Sequence, residues 1–457
     1  MLNAMDQLIR EYRMLPSGTT VLCALSGGAD SVCLFHRLCQ LREPLGFRLA
    51  AAHYNHALRG EESDRDEAFV EEIVGFFVPD GSVPLLKGRG DVAACAKESG
   101  RGLEETAREM RYAFLREAAK QVGADMIATA HNLNDQAETL LMHLMRGSGL
   151  RGLCGMEPLR GDVIRPLLTT SRAEIEAYLR ENGLTWVEDS SNREDTYTRN
   201  WIRHQVLPLL EEMSPGAANR ISQCARSLRT DEEYLSEQGA SLVEKAVWRE
   251  DELVIPVSEL AQAHDAVALR AARQLLGQYN QGNDNCTTAH LKGLLDLCRS
   301  EDPSAELSLP DGRKAVREYE VLVLTYRKSL PMEEQRWTLP GVIEAGDWRL
   351  ECRETVYQGE PQSDTCFFLK QEGVNKVKLR PRQAGDRLKR PGRAGKTVKK
   401  LLIEEKVPLR YRESLPVLEI FGQVAAVVGL GPDIAFLPRI GERAWNISSV
   451  PLKKRSV

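Results

Sequence analysis

Residues 26 to 31 read Ser-Gly-Gly-Ala-Asp-Ser and directly follow the apolar run Thr20–Leu25. That run is short, unbroken and rich in β-favouring residues, as a strand buried on both faces would be. The next stretch, Val32–Leu41, has helical character. A glycine pair between a strand and a helix start lets the backbone approach an anion closely. The free N–H groups of the first helical turn then point at that anion. The hydroxyls of Ser26 and Ser31 add donors, and the whole suits a phosphate or pyrophosphate. A plain strand-to-helix turn with no ligand is the competing reading of Gly27-Gly28. No lysine follows the glycines, so this is not a Walker A loop.

Two more polar clusters follow predicted strands. One is His53-Tyr-Asn-His56-Ala-Leu-Arg59, the other His131-Asn-Leu-Asn-Asp135-Gln-Ala-Glu138. In open α/β sheets ligands bind beyond the carboxyl ends of the strands, so clusters on one rim point to an active site. Asp135 and Glu138 are three residues apart at a helix start and share a face. They read either as acids complementing the helix dipole or as a carboxylate pair for an ammonium group, able later to accept its proton. Arg108 and Arg111, with Tyr112 following, read either as a solvated helix face or as a phosphate or carboxylate clamp.

Ser26–Ser31 resembles the PP-loop of ATP pyrophosphatases, which cleave ATP between the α- and β-phosphates and adenylate a substrate oxygen. Further segments are similar to the tRNA(Ile)-lysidine synthetase family. They are Ala107–Tyr112, Ala128–Leu153, Glu188–Asn192, Thr198–His204 and Val206–Pro208, then Arg380–Arg387, Lys399–Leu402, Lys406–Pro408 and Pro416–Leu418. Tyr54 departs from the small aliphatic residue common in the family. The resemblance implies ATP-dependent ligation of free L-lysine to carbon 2 of the wobble cytidine of tRNA(Ile) with a CAU anticodon. The route is an adenylated cytidine, and the product, lysidine, changes the tRNA from methionine to isoleucine identity. It implies that Ser26, Gly27, Gly28, Ala29, Asp30, Ser31, Arg111 and His131 bind ATP. Asp30 would also hold Mg²⁺, which prefers oxygen ligands. Asp135 and Glu138 would bind lysine, and Asp30, Asp135 and Glu138 would be catalytic. The tRNA would meet Arg203, Arg380, Arg382, Arg387, Lys389, Arg390, Lys396, Lys399 and Lys400. Monomer and homodimer both remain open. So do a PP-loop tRNA thiolase, an ATP-dependent amide-forming enzyme and a non-catalytic RNA-binding protein.

The elements that would position these groups alternate from residue 20 to 182. Strands are expected at 20–25, 47–53, 82–87, 125–130 and 163–168, with helices at 30–41, 60–77, 104–121, 134–146 and 171–182. This is the pattern of a doubly wound, mostly parallel α/β sheet, Rossmann-like in build. The last helix opens on Ser171-Arg-Ala-Glu174, a capping box. Beyond about residue 210 the alternation stops. Residues 217–246 and 258–300 read as helices, 303–330 as a hairpin-like element, and the chain from about 336 as strand-rich. The expected organisation is a PP-loop catalytic domain at 1–212, a mainly helical domain at 213–332 and an α+β tRNA-binding domain at 333–457.

The 457 residues carry 42% hydrophobic and 28% charged residues, as a soluble globular protein does. No apolar run is long enough to span a membrane, and no signal peptide is apparent. Ten cysteines without a Cys-x-x-Cys pair read as reduced thiols of a cytoplasmic protein. They also argue against the thiolase, whose sulfur transfer normally uses such a pair. The formal net charge of −5 argues against a nucleic-acid partner, but its distribution argues for one. Between Lys376 and Arg412 lie fourteen Lys or Arg and three acids, a local balance of +11.

Overall fold

The computed structural model describes residues 2–57, 60–187, 198–282, 285–326 and 332–452. Arg59, the segment Glu188–Asn192 and the end of the hairpin-like element, 327–330, lie outside the described residues. The chain divides into two compact units, Met1–Tyr234 and Leu235–Val457, and the division falls inside one long helix.

Among its described residues the first unit holds six strands: β1 (Thr20–Ala24), β2 (Arg48–Asn55), β3 (Leu85–Arg89), β4 (Met126–Ala128), β5 (Leu159–Arg160) and β6 (Val163–Ile164). They form one sheet in the order β3-β2-β1-β4-β6-β5. All neighbours are parallel except β5, which pairs antiparallel with β6 at the edge. The helices are α1 (Asn3–Glu11), α2 (Ala29–Leu45), α3 (Glu61–Phe77), α4 (Val92–Ser99), α5 (Leu103–Val122), α6 (Leu133–Met145), α7 (Leu150–Leu153) and α8 (Arg172–Glu181). Then come α9 (Thr198–Trp201), a π-helical turn Ile202–Val206, α10 (Leu207–Met213) and α11 (Ala217–Val243).

Strand β1 shows why the sheet is covered on both faces. Val21 and Cys23 join one apolar core with Phe35 and Leu38 of α2, while Leu22 joins another with Leu115 and Ala118 of α5. Side chains alternate along a strand, so a run apolar at every position needs helices on both sides. Burying each such side chain stabilises the fold by roughly 1.5–3 kcal/mol. The doubly wound expectation holds. The fifth expected strand, 163–168, is regular only at Val163–Ile164, because Arg165 and Pro166 end it.

The second unit begins with a five-stranded antiparallel sheet, β7-β8-β11-β10-β9. Its strands are β7 (Val247–Arg249), β8 (Glu252–Pro256), β9 (Glu306–Ser308), β10 (Lys314–Glu318) and β11 (Val321–Thr325). One face packs on α12 (Val257–Ala261), α13 (Asp265–Tyr279) and α14 (Thr288–Arg299) through Leu253, Leu276, Leu294 and Leu322. The segment therefore joins its helices to a small antiparallel sheet. Short β7 and β8 turn tightly at Glu250, whose φ of 56° is left-handed.

The chain from Gln335 builds two further antiparallel sheets. One has the order β12-β16-β19-β20-β21 and the other β13-β14-β22-β15. The strands are β12 (Gln335–Thr338), β13 (Gly341–Ala345), β14 (Trp348–Val356), β15 (Cys366–Lys370), β16 (Lys376–Arg380), β17 (Arg387–Leu388), β18 (Lys396–Thr397), β19 (Val417–Ile420), β20 (Gln423–Val427), β21 (Gly431–Pro432) and β22 (Arg443–Pro451). The β17–β18 ribbon leads into α15 (Val398–Glu404), capped by the Thr397 hydroxyl. Arg410 ties this part to the sheet before it, its guanidinium meeting Glu252 and Glu318.

Arg380 differs from the sequence expectation. Its side chain is only 4% exposed, and it donates to Asp386 and Glu419 and to the Pro381 carbonyl. Its charge is used inside the domain. Removing one partner of a buried pair costs about 3–5 kcal/mol. Arg380→Gln should therefore shift the urea midpoint of this unit markedly downward. An unchanged midpoint would return Arg380 to the surface set.

Candidate active site

The loop after β1 is held by its own serine. Ser31 Oγ accepts from the N–H groups of Ser26 and Gly27, each at 3.1 Å, and donates to the Gly28 carbonyl at 2.9 Å. It therefore shapes the turn rather than reaching for a ligand. Gly27 has φ 91°, a left-handed conformation that side-chain-bearing residues rarely adopt and glycine takes freely. The first intrahelical bond of α2 runs from the Val32 N–H to the Gly28 carbonyl. The N–H groups of Ala29, Asp30 and Ser31 precede it and face outward from the helix start, as an anion site requires. His53, a rim histidine of the sequence reading, is buried and donates from Nδ1 to the Leu25 carbonyl at 2.9 Å. It braces the loop.

Asn132 joins the loop to the second cluster. It caps α6 in a reciprocal box with Asp135, at 2.9 and 3.0 Å. Its side-chain amide also donates to Asp30 at 3.1 Å. The other Asp30 oxygen accepts from Arg172 at 2.8 Å. Burial pushes the Asp30 carboxyl above its ordinary pKa, with Arg172 opposing and Asp135 reinforcing the shift.

Asp135 and Glu138 do share a face, and two arginines occupy it. Arg199 donates to Glu138 and Asp135 at 2.8 Å each. Arg203 donates to Glu138 at 2.6 and 3.1 Å and to Asp135 at 2.8 Å. The Glu138 side chain is 0% exposed. Burial works to raise the Asp135 pKa, but Arg199 and Arg203 are among the charges that more than offset it and hold it below the usual range. Both arginines come from the α9 and π-turn segment, whose Ile202 packs with Leu133 and Ala137 of α6. Arg203, expected at the tRNA, thus lies against the carboxylate pair. Arg199 and Arg172 are additions to the expected site. Arg199 lies inside the quoted segment Thr198–His204 and Arg172 inside the capping box, but no local spacing names their partners.

Burial pulls Arg111 below its ordinary pKa and His131 to about 3, the latter with help from Arg165 and Arg111. His131 is therefore neutral at pH 7. Its Nδ1 lies 3.0 Å from the Thr129 hydroxyl.

The basic C-terminal stretch divides in two. Arg387, Lys389, Lys399 and Lys400 are exposed on the β17–β18 ribbon and α15. Arg390 and Lys396 meet Glu405 and Glu404, and Arg382 lies 3.7 Å from Glu413.

Residues 2–210 match the family model of the PP-loop domain, and residues 377–449 match that of the TilS substrate C-terminal domain. The tRNA(Ile)-lysidine synthase of Clostridium perfringens is 32% identical over 92% of this chain and 93% of its own. The enzyme of that name from Bacillus subtilis is 30% identical over 95% of this chain and 94% of its own. The chain belongs to the tRNA(Ile)-lysidine synthase family. A solved TilS C-terminal domain is matched over its whole length and 27% of this chain, at 21% identity and a TM-score of 0.24. Family membership carries the ATP-using ligase reading over the thiolase.

Two outcomes follow from the site. Ser31→Ala leaves the Gly27 N–H without its acceptor, and an unmade buried bond costs about 1–3 kcal/mol. The KM for ATP should rise about tenfold or more, with that for tRNA little changed. For His131 the folded pKa lies below the unfolded one, so the unfolded chain binds the extra proton. Stability should fall as pH drops from about 6.5 toward 3. His131→Gln should remove that part of the decline in a melting series between pH 7 and 5.

Proposed function

We propose that this chain joins the ε-amine of free L-lysine to carbon 2 of the wobble cytidine of tRNA(Ile) with the CAU anticodon, converting ATP to AMP and pyrophosphate. The observation that carries the reading is one linked rim. Asn132 connects the phosphate-facing turn, through Asp30, to the carboxylate pair Asp135 and Glu138. A nucleotide site and an amine site side by side are what two successive half-reactions need.

The N–H groups at the start of α2 would hold the ATP phosphates, with Arg111 adding charge. Neutral His131 supplies a hydrogen-bonding group without a further positive charge. Mg²⁺ fits the donor set in one way. The chain offers the single carboxylate Asp30 rather than a cage, and Mg²⁺ commonly takes one or two carboxylates together with substrate phosphates. No cluster of three His, Cys, Asp or Glu able to hold a metal occurs among the described residues.

Asp135 and Glu138 would receive the lysine ammonium. In the present arrangement Arg199 and Arg203 satisfy the same oxygens, so lysine binding calls for at least one guanidinium to withdraw. Exposed Arg387, Lys389, Lys399 and Lys400 would dock tRNA phosphates, with Arg382, Arg390 and Lys396 beside them. Such contacts position the RNA more than they read it. No helix among the described residues is long and apolar enough to cross a membrane, in keeping with a cytoplasmic enzyme.

The direct test incubates the purified chain with tRNA(Ile) transcript, ATP and labelled lysine. Lysidine should appear in the nucleoside digest, and omission of lysine should leave adenylated tRNA. Label absent from the tRNA would end the proposal. Asp135→Asn should raise the KM for lysine by one to two decades, the loss of a charge-assisted bond worth about 1.5–3 kcal/mol. The KM for ATP should stay within about twofold, and equal shifts in both would refute the division of labour. Lys399→Gln with Lys400→Gln should weaken tRNA binding and flatten its salt dependence by about 1.8 in log–log slope. An unaltered slope would remove α15 from the docking surface.

A further inference from the structure

A cleft of about 600 Å³ opens between α5 and the β5–β6 hairpin. Arg108, Tyr112 and Arg116 line one wall, and Arg160, Asp162 and Arg165 the other. Nothing in the nucleotide, lysine or C-terminal docking sites uses it. We infer that this cleft binds the phosphodiester backbone of the single-stranded RNA flanking the reacting cytidine. The inference rests on the tRNA reading above and adds a subsite to it.

Three observations support the assignment, and a fourth supplies its counter-test. The first is free positive charge. Among the described residues, Arg108, Arg116 and Arg160 form no ion pair within 4 Å, and all three are exposed. Arg108 lies over the Tyr112 ring at 5.1 Å, which orients it without neutralising it. Guanidinium groups suit phosphates because their donors form a planar fork.

The second is an unpaired polar head. Arg165 is only 6% exposed, and it donates from Nη1 to the Glu157 carbonyl at 2.7 Å. Its Nε has no hydrogen-bond partner, and the Tyr112 hydroxyl lies against the same guanidinium. Buried polar groups without partners are uncommon, and a ligand that supplies acceptors is one explanation.

The third is continuity with the catalytic rim. Strand β6 is parallel to β4, so Arg165 follows β6 on the rim where His131 follows β4. The Arg165 charge is one of those that keep His131 neutral. From that end the cleft runs along α5. Arg108 and Arg116 are eight residues apart, about 12 Å along the helix axis. That is a track rather than a pocket for one phosphate.

The fourth is the nature of the acids present. Glu105, Glu109 and Asp162 also line the cleft. Glu109 meets Arg101. Asp162 and Glu105 moderate the field and would weaken binding of a polyanion. Their removal therefore has a predictable sign, opposite to that of the arginines.

The experiment uses the full chain, tRNA(Ile) transcript and the isolated anticodon stem-loop. The double variant R116Q/R160Q alters exposed charge only, and its ATP binding and melting midpoint should match the wild type. Its KM for both RNAs should rise about tenfold. The log–log salt slope of RNA binding should flatten by about 1.4, the value for two lost single-strand phosphate contacts. Asp162→Asn should lower the KM for both RNAs. Unchanged KM and slope in R116Q/R160Q, with wild-type enzyme forming lysidine, would overturn the cleft while leaving the ligase reading intact. A change seen with full tRNA but not with the stem-loop would overturn the placement beside the reacting nucleotide. Wild-type enzyme that makes no lysidine would instead refute the reading on which the inference rests.

Discussion

The structure of the first unit turns on pairing two buried carboxylates where water is scarce. Asp135 and Glu138 lie at the start of α6, Glu138 fully buried. An unpaired carboxylate there would take up a proton or unfold its surroundings. Arg199 and Arg203 prevent this by filling the same oxygens. In doing so they fasten the α9 and π-turn segment onto α6. Asn132 then passes the arrangement to Asp30 and the loop after β1. One charge problem thus sets the position of the loop after β1, the start of α6 and the segment that covers them.

Compensation of this kind also constrains the chemistry. A carboxylate held by two guanidiniums is a poor proton acceptor until one of them leaves. Arginine is suited to the task because it stays charged over the working range of pH and binds carboxylates through several donors at once. The π-helical turn places Arg203 so that it meets both acids beside Arg199. Such turns often occur where backbone regularity gives way to function.

The turn between β1 and α2 was legible because its geometry is local. A strand, two glycines and a helix start within a dozen residues leave few other arrangements. The partners of Asp135 and Glu138 were not legible, because 61 and more residues separate them from Arg199 and Arg203. The same limit applied to charge counting between Lys376 and Arg412. Arg380 and Arg410 look like their neighbours in the sequence, yet both serve inside the fold, against Asp386 and Glu419 or Glu252 and Glu318. Only burial separates them from Lys399 and Lys400. Strands β7 and β8 escaped for another reason. Runs of three and five residues between helices carry too little periodicity to register.

Electrostatic economy links these features. On the proposed reading, ATP and RNA would bring negative charge to the rim and lysine would bring positive charge. A site that met them with uncompensated side chains would bear a large desolvation cost when empty. The fold answers with groups that are neutral or internally paired until a substrate arrives. Backbone N–H groups at the start of α2 are dipoles without net charge, His131 is uncharged, and the acids are matched by arginines. Where the chain leaves arginines unpaired, at Arg108, Arg116 and Arg160, they are exposed and remain hydrated. An anion can then reach them without first breaking an ion pair, whereas one reaching the inner site would meet charges that are already matched.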